Sequence, residues 1–340
     1  MNSAWDRNLA LSQSSRWRYK LTPREQHLLK EACLKFPDVS YEEVNEAYLP
    51  TFFQERLLEI RSDLETGLGL YLIESLPLDE LSVPAVRKLY FAIGCALGTP
   101  VYQDPRGSRI VDIRATDASI EAAIHYKAKK DGSHFRPYET NLAFSYHTDP
   151  CDVAGLICLQ NAAQGGETQV ASALHLRDLL QREDPTLVDA LSTPFPYAKP
   201  EVPGKSLEYY LIPVFSEQAG YFKSHVVPDL VWLGQRRDGI PKLTEVQVLA
   251  LRRLEALARQ PENHVAFTLR TGDLLLVNNH IVYHARSAYE DSESFTRFLM
   301  RLWLSVPNSR PLSPVHAEWF GDPRAGAIRG GYLKSSWNRR

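Results

Sequence analysis

Apolar and polar positions divide the chain into a helical beginning and a strand-rich remainder. Thr22-Pro23-Arg24-Glu25 combines an N-cap threonine, a proline at the first helical position and a glutamate placed to close a capping box. Leu28, Leu29, Ala32 and Leu34 then supply an apolar face. Ser40-Tyr41-Glu42-Glu43 and Thr51-Phe52-Phe53-Gln54 repeat the start signal, so three short helices are expected before Gly67. From residue 68 the pattern turns to strand. Leu70-Tyr71-Leu72-Ile73 is followed by a helical stretch over 84–97, then by Ile110-Val111-Asp112-Ile113 and an apolar run over 153–159. A helix is expected over 172–182, strands over 207–215 and 220–224, and a helix over 244–259 with leucines at 249, 251, 254 and 257. The last strands are expected over 265–269, 274–283 and 297–306.

Many short strands, interrupted by helices without a regular strand-helix alternation, predict a mainly β fold with peripheral helices (α+β), of the double-sheet jelly-roll type. The expected organisation is a helical extension over 1–67, a barrel over 68–312 and a C-terminal wrap over 313–340.

Candidate chemistry sits on two of these strands. In a strand, residues i and i+2 share a face, so the imidazole of His147 and the carboxylate of Asp149 can grip one ion while Thr148 points away. A second imidazole is available from the run that holds His280 and His284. These two are four apart, and spacing alone does not choose between them. Two histidines and one carboxylate leave three positions of an octahedral Fe(II) open, whereas a closed structural zinc site leaves none. Arg297 and Arg301, also four apart, project to one face of the last strand, and a planar guanidinium suits a carboxylate.

The ordered elements Tyr146-His147-Thr148-Asp149, Gly165-Gly166-Glu167-Thr168, the segment from Asn278 to Arg286, and Thr296-Arg297 through Arg301-Leu302 resemble the TauD/TfdA family of Fe(II)- and 2-oxoglutarate-dependent dioxygenases. The resemblance covers roughly residues 68–312 and implies a double-stranded β-helix of the cupin-like kind. It implies that His147, Asp149 and His284 are the iron ligands, and it gives His280 a supporting or purely structural place. Thr168 and Arg301 would hold the distal carboxylate of 2-oxoglutarate, with Arg297 near the 1-carboxylate. The loop between His284 and the arginines is slightly longer than is common in the family. The implied cofactors are Fe(II), 2-oxoglutarate and O2. The implied reaction couples decarboxylation to succinate and CO2 with hydroxylation of an unactivated C–H, and desaturation or cyclisation is open to the same centre. A zinc hydrolase could use the same three ligands but has no need of Thr168, Arg297 and Arg301. A non-catalytic jelly-roll binding protein would have no need of three intact ligands.

Composition narrows the setting. A chain of 340 residues, 44% hydrophobic and 24% charged, can bury a large core, and a net charge of −2 gives no global footprint for nucleic acid or anionic lipid. Cys33, Cys95, Cys151 and Cys158 lack Cys-x-x-Cys spacing, which argues against a disulfide scaffold or structural zinc. No apolar run approaches a membrane span, and cytoplasmic residence is the expectation.

The polar stretch over 115–140 runs into the iron motif and is expected to form a lid or substrate-contact loop. Strand alternation places Asn141 and Ser145 on the face of His147, making them candidate substrate contacts. The expected partner is a small substrate, an amino acid or a derivative of one, free or tethered to a carrier protein. An acidic carrier could dock on the basic clusters formed by Lys127, Lys129 and Lys130 with Arg136, by Arg236-Arg237 and by Arg339-Arg340. Self-association is left open.

Overall fold

The computed structural model describes residues 4–104, 106–115, 137–199 and 208–332. Its strands in chain order begin with β1 (Arg18–Lys20), β2 (Leu70–Glu74), β3 (Thr99–Pro100), β4 (Ile110–Ile113), β5 (Phe144–His147) and β6 (Val153–Gln160). They continue with β7 (Gln164–Gly165), β8 (Thr168–Ser172), β9 (Pro194–Ala198), β10 (Tyr209–Pro213), β11 (Phe215–Gln218) and β12 (Tyr221–Ser224). The last five are β13 (His264–Phe267), β14 (Leu274–Asn278), β15 (Val282–Arg286), β16 (Tyr289–Glu290) and β17 (Phe298–Ser305).

Two sheets face each other, as the pattern predicts. The seven-stranded sheet runs β1-β2-β14-β6-β17-β3, with β4 also on β17, and the four-stranded sheet runs β13-β8-β15-β5. Alternation explains why the larger sheet is buried on both faces. Leu72, Ala154, Leu275, Val277, Leu299 and Trp303 point into the barrel. Their neighbours Tyr71, Ile73, Val153, Leu274, Leu276, Met300 and Leu302 meet the helices Thr51–Thr66 and Val83–Leu97 outside it. Arg301 lies between Leu299 and Trp303 in this alternation and therefore faces the interior.

Several elements depart from expectation. The first 67 residues are not wholly helical: β1 pairs in parallel with β2, and Trp5 donates from Nε1 to the Leu68 carbonyl at 2.8 Å. The capping box at Thr22 starts the helix Pro23–Leu34, but the one at Ser40 yields only the 3-10 turn Tyr41–Glu43. The run over 274–283 is not one strand. Asn278 ends β14, a turn follows, and Val282 opens β15 in the opposite sheet. The helices Pro185–Leu191 and Pro228–Gln235 and the strand β9 have no counterpart in the sequence reading.

After β17 the chain crosses back over the barrel. The buried Arg329 and the hydrogen bonds from Gly331 N to Pro150 O (2.7 Å) and from Tyr332 N to Tyr102 O (2.8 Å) fix this segment beside the end of the His147 motif. Among the described residues, no helix is long and apolar enough to cross a membrane.

Candidate functional site

His147 ends β5 and stands directly opposite His284 on β15, with ring centroids 4.2 Å apart. Asp149 lies just beyond the strand, where its backbone N–H donates to Asn279 Oδ1 at 2.9 Å. One ligand atom from each of His147, Asp149 and His284 falls within 4.8 Å of the others, and all three residues are buried. His147 Nδ1 sits 2.8 Å from the Ser145 carbonyl, which accepts its proton and leaves Nε2 as the bare nitrogen. The Phe144 ring stacks on the imidazole at 3.9 Å.

Burial, with His284 beside it, pushes His147 down to about 3, so it is neutral at working pH. Burial alone would raise the Asp149 carboxyl, but Arg301, His284 and His147 outweigh it and hold the group below the ordinary carboxylate range. Arg301 Nη1 lies 3.3 Å from Asp149 Oδ1. Asp149 Oδ2 and His284 Nδ1 are buried with no hydrogen-bond partner among the described residues. Unsatisfied polar atoms in such a site need a reason. Two imidazoles with an ionised carboxylate are the donor set that a divalent iron with open positions takes, so the residues fit the metal.

A cavity extends from this cluster, walled by Ile113, Tyr138, Phe144, Leu156 and Leu299. Thr168, Arg286 and Arg297 also line it, and Thr168 on β8 is directly opposite Arg286 on β15. Arg297 Nε and Nη1 and Arg286 Nε are buried donors without hydrogen-bond partners among the described residues. Burial and the mutual repulsion of the two guanidiniums push Arg286 down to about 10, and burial lowers Arg297 as well. Both cations lie against the Tyr289 ring. This end of the cavity is built to receive an anion.

The loop before β8 makes room for it. Gly165 and Gly166 have φ values of +72° and +70°, which disfavour a side chain. A Cβ on Gly166 would lie 3.2 Å from Arg297 Nε.

Arg301 occupies the other end, beside Asp149. Its guanidinium is held between the rings of Tyr138 (4.8 Å) and Trp303 (4.5 Å), and its Nε donates to Gln103 Oε1 at 2.8 Å.

The sequence-derived candidates are thus brought together except for two. Asn141 and Ser145 are not among the residues lining the cavity. β5 begins only at Phe144, and it carries an irregularity: His284 pairs with His147, but Arg286 pairs with Phe144 where regular pairing would give Ser145. The extra residue moves Phe144 to the cavity in place of Ser145.

His280 lies on the turn between β14 and β15, away from the metal cluster, with Nε2 2.8 Å from Asp152 Oδ1 and Nδ1 2.9 Å from Lys223 Nζ. Of the expected lid, residues 116–136 lie outside the described residues, and with them Lys127, Lys129, Lys130 and Arg136. Sequence reasoning missed Gln103, Tyr138, Arg286 and Trp303. Arg286 was within reach, since it stands two residues beyond His284 on the same face.

Comparison with known proteins adds the family. The model for the taurine catabolism dioxygenase TauD, TfdA family matches residues 39–303. The FR-33289 synthase of Streptomyces rubellomurinus is 30% identical over 326 residues, covering 91% of this chain and 90% of that protein. Asparagine oxygenase, solved with Fe(II), 2S,3S-3-hydroxyasparagine and succinate, aligns with a TM-score of 0.66 at 18% identity, covering 85% of this chain and 93% of that one. The non-heme iron oxygenase OrfP, solved with Fe and alpha-ketoglutaric acid, aligns with a TM-score of 0.62 at 16% identity, covering 92% and 99%. At these identities the two structures establish the shared fold. The matched span holds β5, β15, the Gly165-Gly166 loop, Arg297 and Arg301, and the chain belongs to the TauD/TfdA family of Fe(II)- and 2-oxoglutarate-dependent dioxygenases.

Proposed function

We propose that this dioxygenase hydroxylates a small amino acid or amino-acid derivative, with His147, Asp149 and His284 holding Fe(II) and the two ends of the cavity holding two different anions. The observation that carries the reading is the pairing of a buried, partly unsatisfied His-Asp-His cluster with the buried guanidiniums of Arg286 and Arg297, which have no carboxylate partner among the described residues.

2-Oxoglutarate chelates a metal through its 1-carboxylate and 2-keto oxygens, so its distal carboxylate lies several bonds from the ion. Arg297, beside Gly166 and on the Thr168 side of the cavity, suits that distal group. Arg301, within reach of Asp149, suits an anion close to the metal, and we assign it the substrate's anionic group. This exchanges roles relative to the expectation drawn from the resemblance, which gave the distal carboxylate to Arg301 and the nearer one to Arg297. Thr168 keeps its part, donating its hydroxyl to the distal carboxylate.

The bound Fe(II), co-substrate and O2 supply the C–H-oxidising power. The chain's own residues set the conditions. His147 stays neutral and oriented through Ser145, Asp149 stays ionised, and Ile113, Phe144, Leu156 and Leu299 keep water from the reacting carbon. The solved neighbours include oxygenases crystallised with hydroxyasparagine and hydroxy-arginine products, which supports amino acids as the first substrates to try.

The test is turnover with L-amino acids and their N-acyl and carboxamide derivatives, following succinate and the hydroxylated product by mass spectrometry. Succinate formation that rises with one anionic compound and yields its product with a mass gain of one oxygen supports the reading. Turnover that favours carboxamides over the free acids contradicts the role given to Arg301. A carrier-tethered form of the same substrate belongs to this proposal, with Lys129 and Lys130 as the docking charges. Unchanged rate and salt dependence on a carrier-bound substrate after charge reversal at both would remove it.

A further inference from the structure

Gln103 is a buried amide between β3 and β4, remote in sequence from every residue of the metal cluster. Its Nε2 donates to two carbonyls, those of Arg109 (2.7 Å) and Arg301 (2.8 Å). Its Oε1 is thereby turned toward the Arg301 guanidinium and accepts from Nε at 2.8 Å. Because both N–H groups point at obligate acceptors, the amide has one sensible orientation, and no rotation swaps its oxygen away from Arg301.

The consequence falls on Arg301. Tyr138 and Trp303 fix the plane of its guanidinium from either side, Gln103 fixes its Nε edge, and Nη1 points to Asp149. The choice of an amide matters as much as its position. A carboxylate at 103 would satisfy the same Nε and also cancel the charge, as Glu74 does for Arg18 on the surface of this protein. A neutral acceptor orients the cation without adding a second negative charge to that of Asp149.

We propose that Gln103 is a positioning residue that determines specificity: it aims Arg301 without adding a second carboxylate to that of Asp149, so that the site selects substrates carrying an oxyanion near the reacting carbon. This rests on the reading of Arg301 as the substrate-anion residue.

The test uses the anaerobic Fe(II)·2-oxoglutarate complex, in which the co-substrate fills the Arg297 end, and inorganic sulfate as the probe. Sulfate binding is read from its perturbation of the visible metal-to-ligand charge-transfer band, in wild type, Gln103→Met, Gln103→Glu and Arg301→Met. The expected result is binding by wild type, about ten-fold weaker binding in Gln103→Met, weaker still in Gln103→Glu, and none in Arg301→Met. The affinity for 2-oxoglutarate should stay within about two-fold in both Gln103 variants, which a general loosening of the fold would not allow. Gln103→Glu preserves side-chain size and serves as the test if the methionine variant does not fold. Wild-type affinity for sulfate in the Gln103 variants, with loss in Arg301→Met, would overturn the role of Gln103 alone. Binding unaffected in Arg301→Met, or absent in wild type, would overturn the reading of Arg301 on which it rests.

Discussion

Two clusters of the same composition lie side by side in this protein. Asp149, His284 and Arg301 form one, and Asp152, His280 and Arg329 form the other. The aspartates are three residues apart and the histidines four, and all six side chains are buried. In the second cluster, Asp152 accepts from His280 Nε2 (2.8 Å), Arg329 Nε (2.7 Å), Ser305 Oγ (3.3 Å) and Val306 N (3.0 Å). Lys223 closes the other side of His280. In the first, Asp149 Oδ2 and His284 Nδ1 have no hydrogen-bond partner among the described residues, Oδ2 lying 3.6 Å from His284 Nε2, and a cavity adjoins them. Residue type does not separate a reactive centre from a structural clamp. Saturation of hydrogen bonds does, because a fully satisfied buried network rigidifies, while an open one keeps capacity for a ligand.

That comparison can be broken most sharply by removing one member from each cluster. His284→Ala should lower Fe(II)-dependent turnover by well over about 100-fold, more than the loss of an outer partner of a metal ligand gives. Its urea midpoint should move little beside that of the next variant. Arg329→Met strands the Asp152 carboxylate in the interior and should cost about 3–5 kcal/mol in urea unfolding, with the charge-transfer band intact in the folded fraction. If the two variants exchange these effects, the clusters have been assigned the wrong way round.

The two ends of the cavity give a smaller contrast. Arg297→Met should raise the KM for 2-oxoglutarate by about 100-fold, in line with about 1.5–3 kcal/mol for a charged hydrogen bond, with kcat at saturation changed far less. An equal rise in Arg301→Met would show that the ends are not distinct.

The smallest effect concerns acid. His147 is held neutral down to about 3, against an ordinary value of 6.5. The unfolded chain therefore binds a proton between these values that the folded chain refuses. Stability of the metal-free protein is complete above about 6.5 and falls as pH is lowered toward 3. The loss from this residue is about 2 kcal/mol by pH 5, checked as the difference in urea unfolding between wild type and His147→Gln.

The sequence disclosed the chemistry more readily than the geometry. His147 and Asp149 were legible as a pair from their two-residue spacing, although β5 ends at His147 and Asp149 lies just beyond it. His280 and His284 were not separable, because the apolar run over 274–283 hides a turn that sends β14 and β15 to opposite sheets. Ser145 was misplaced for a related reason: alternation assumes regular pairing, and one extra residue on β5 reverses the faces before it. Gln103 carried no local signal, since its partner is 198 residues away. The outer helices were legible where caps and periodicity agreed, as for Pro23–Leu34 and Glu245–Arg259. Ser40 began only a 3-10 turn, because Val44 turns extended and Asn45 caps a second short turn.

The most direct measurement is anaerobic titration of the metal-free protein with Fe(II) and then 2-oxoglutarate, comparing wild type, His284→Gln and His280→Gln by visible absorption. The account predicts a charge-transfer band in wild type and in the folded fraction of His280→Gln, and its loss in His284→Gln. A band that survives in His284→Gln, or that vanishes in folded His280→Gln, would contradict it.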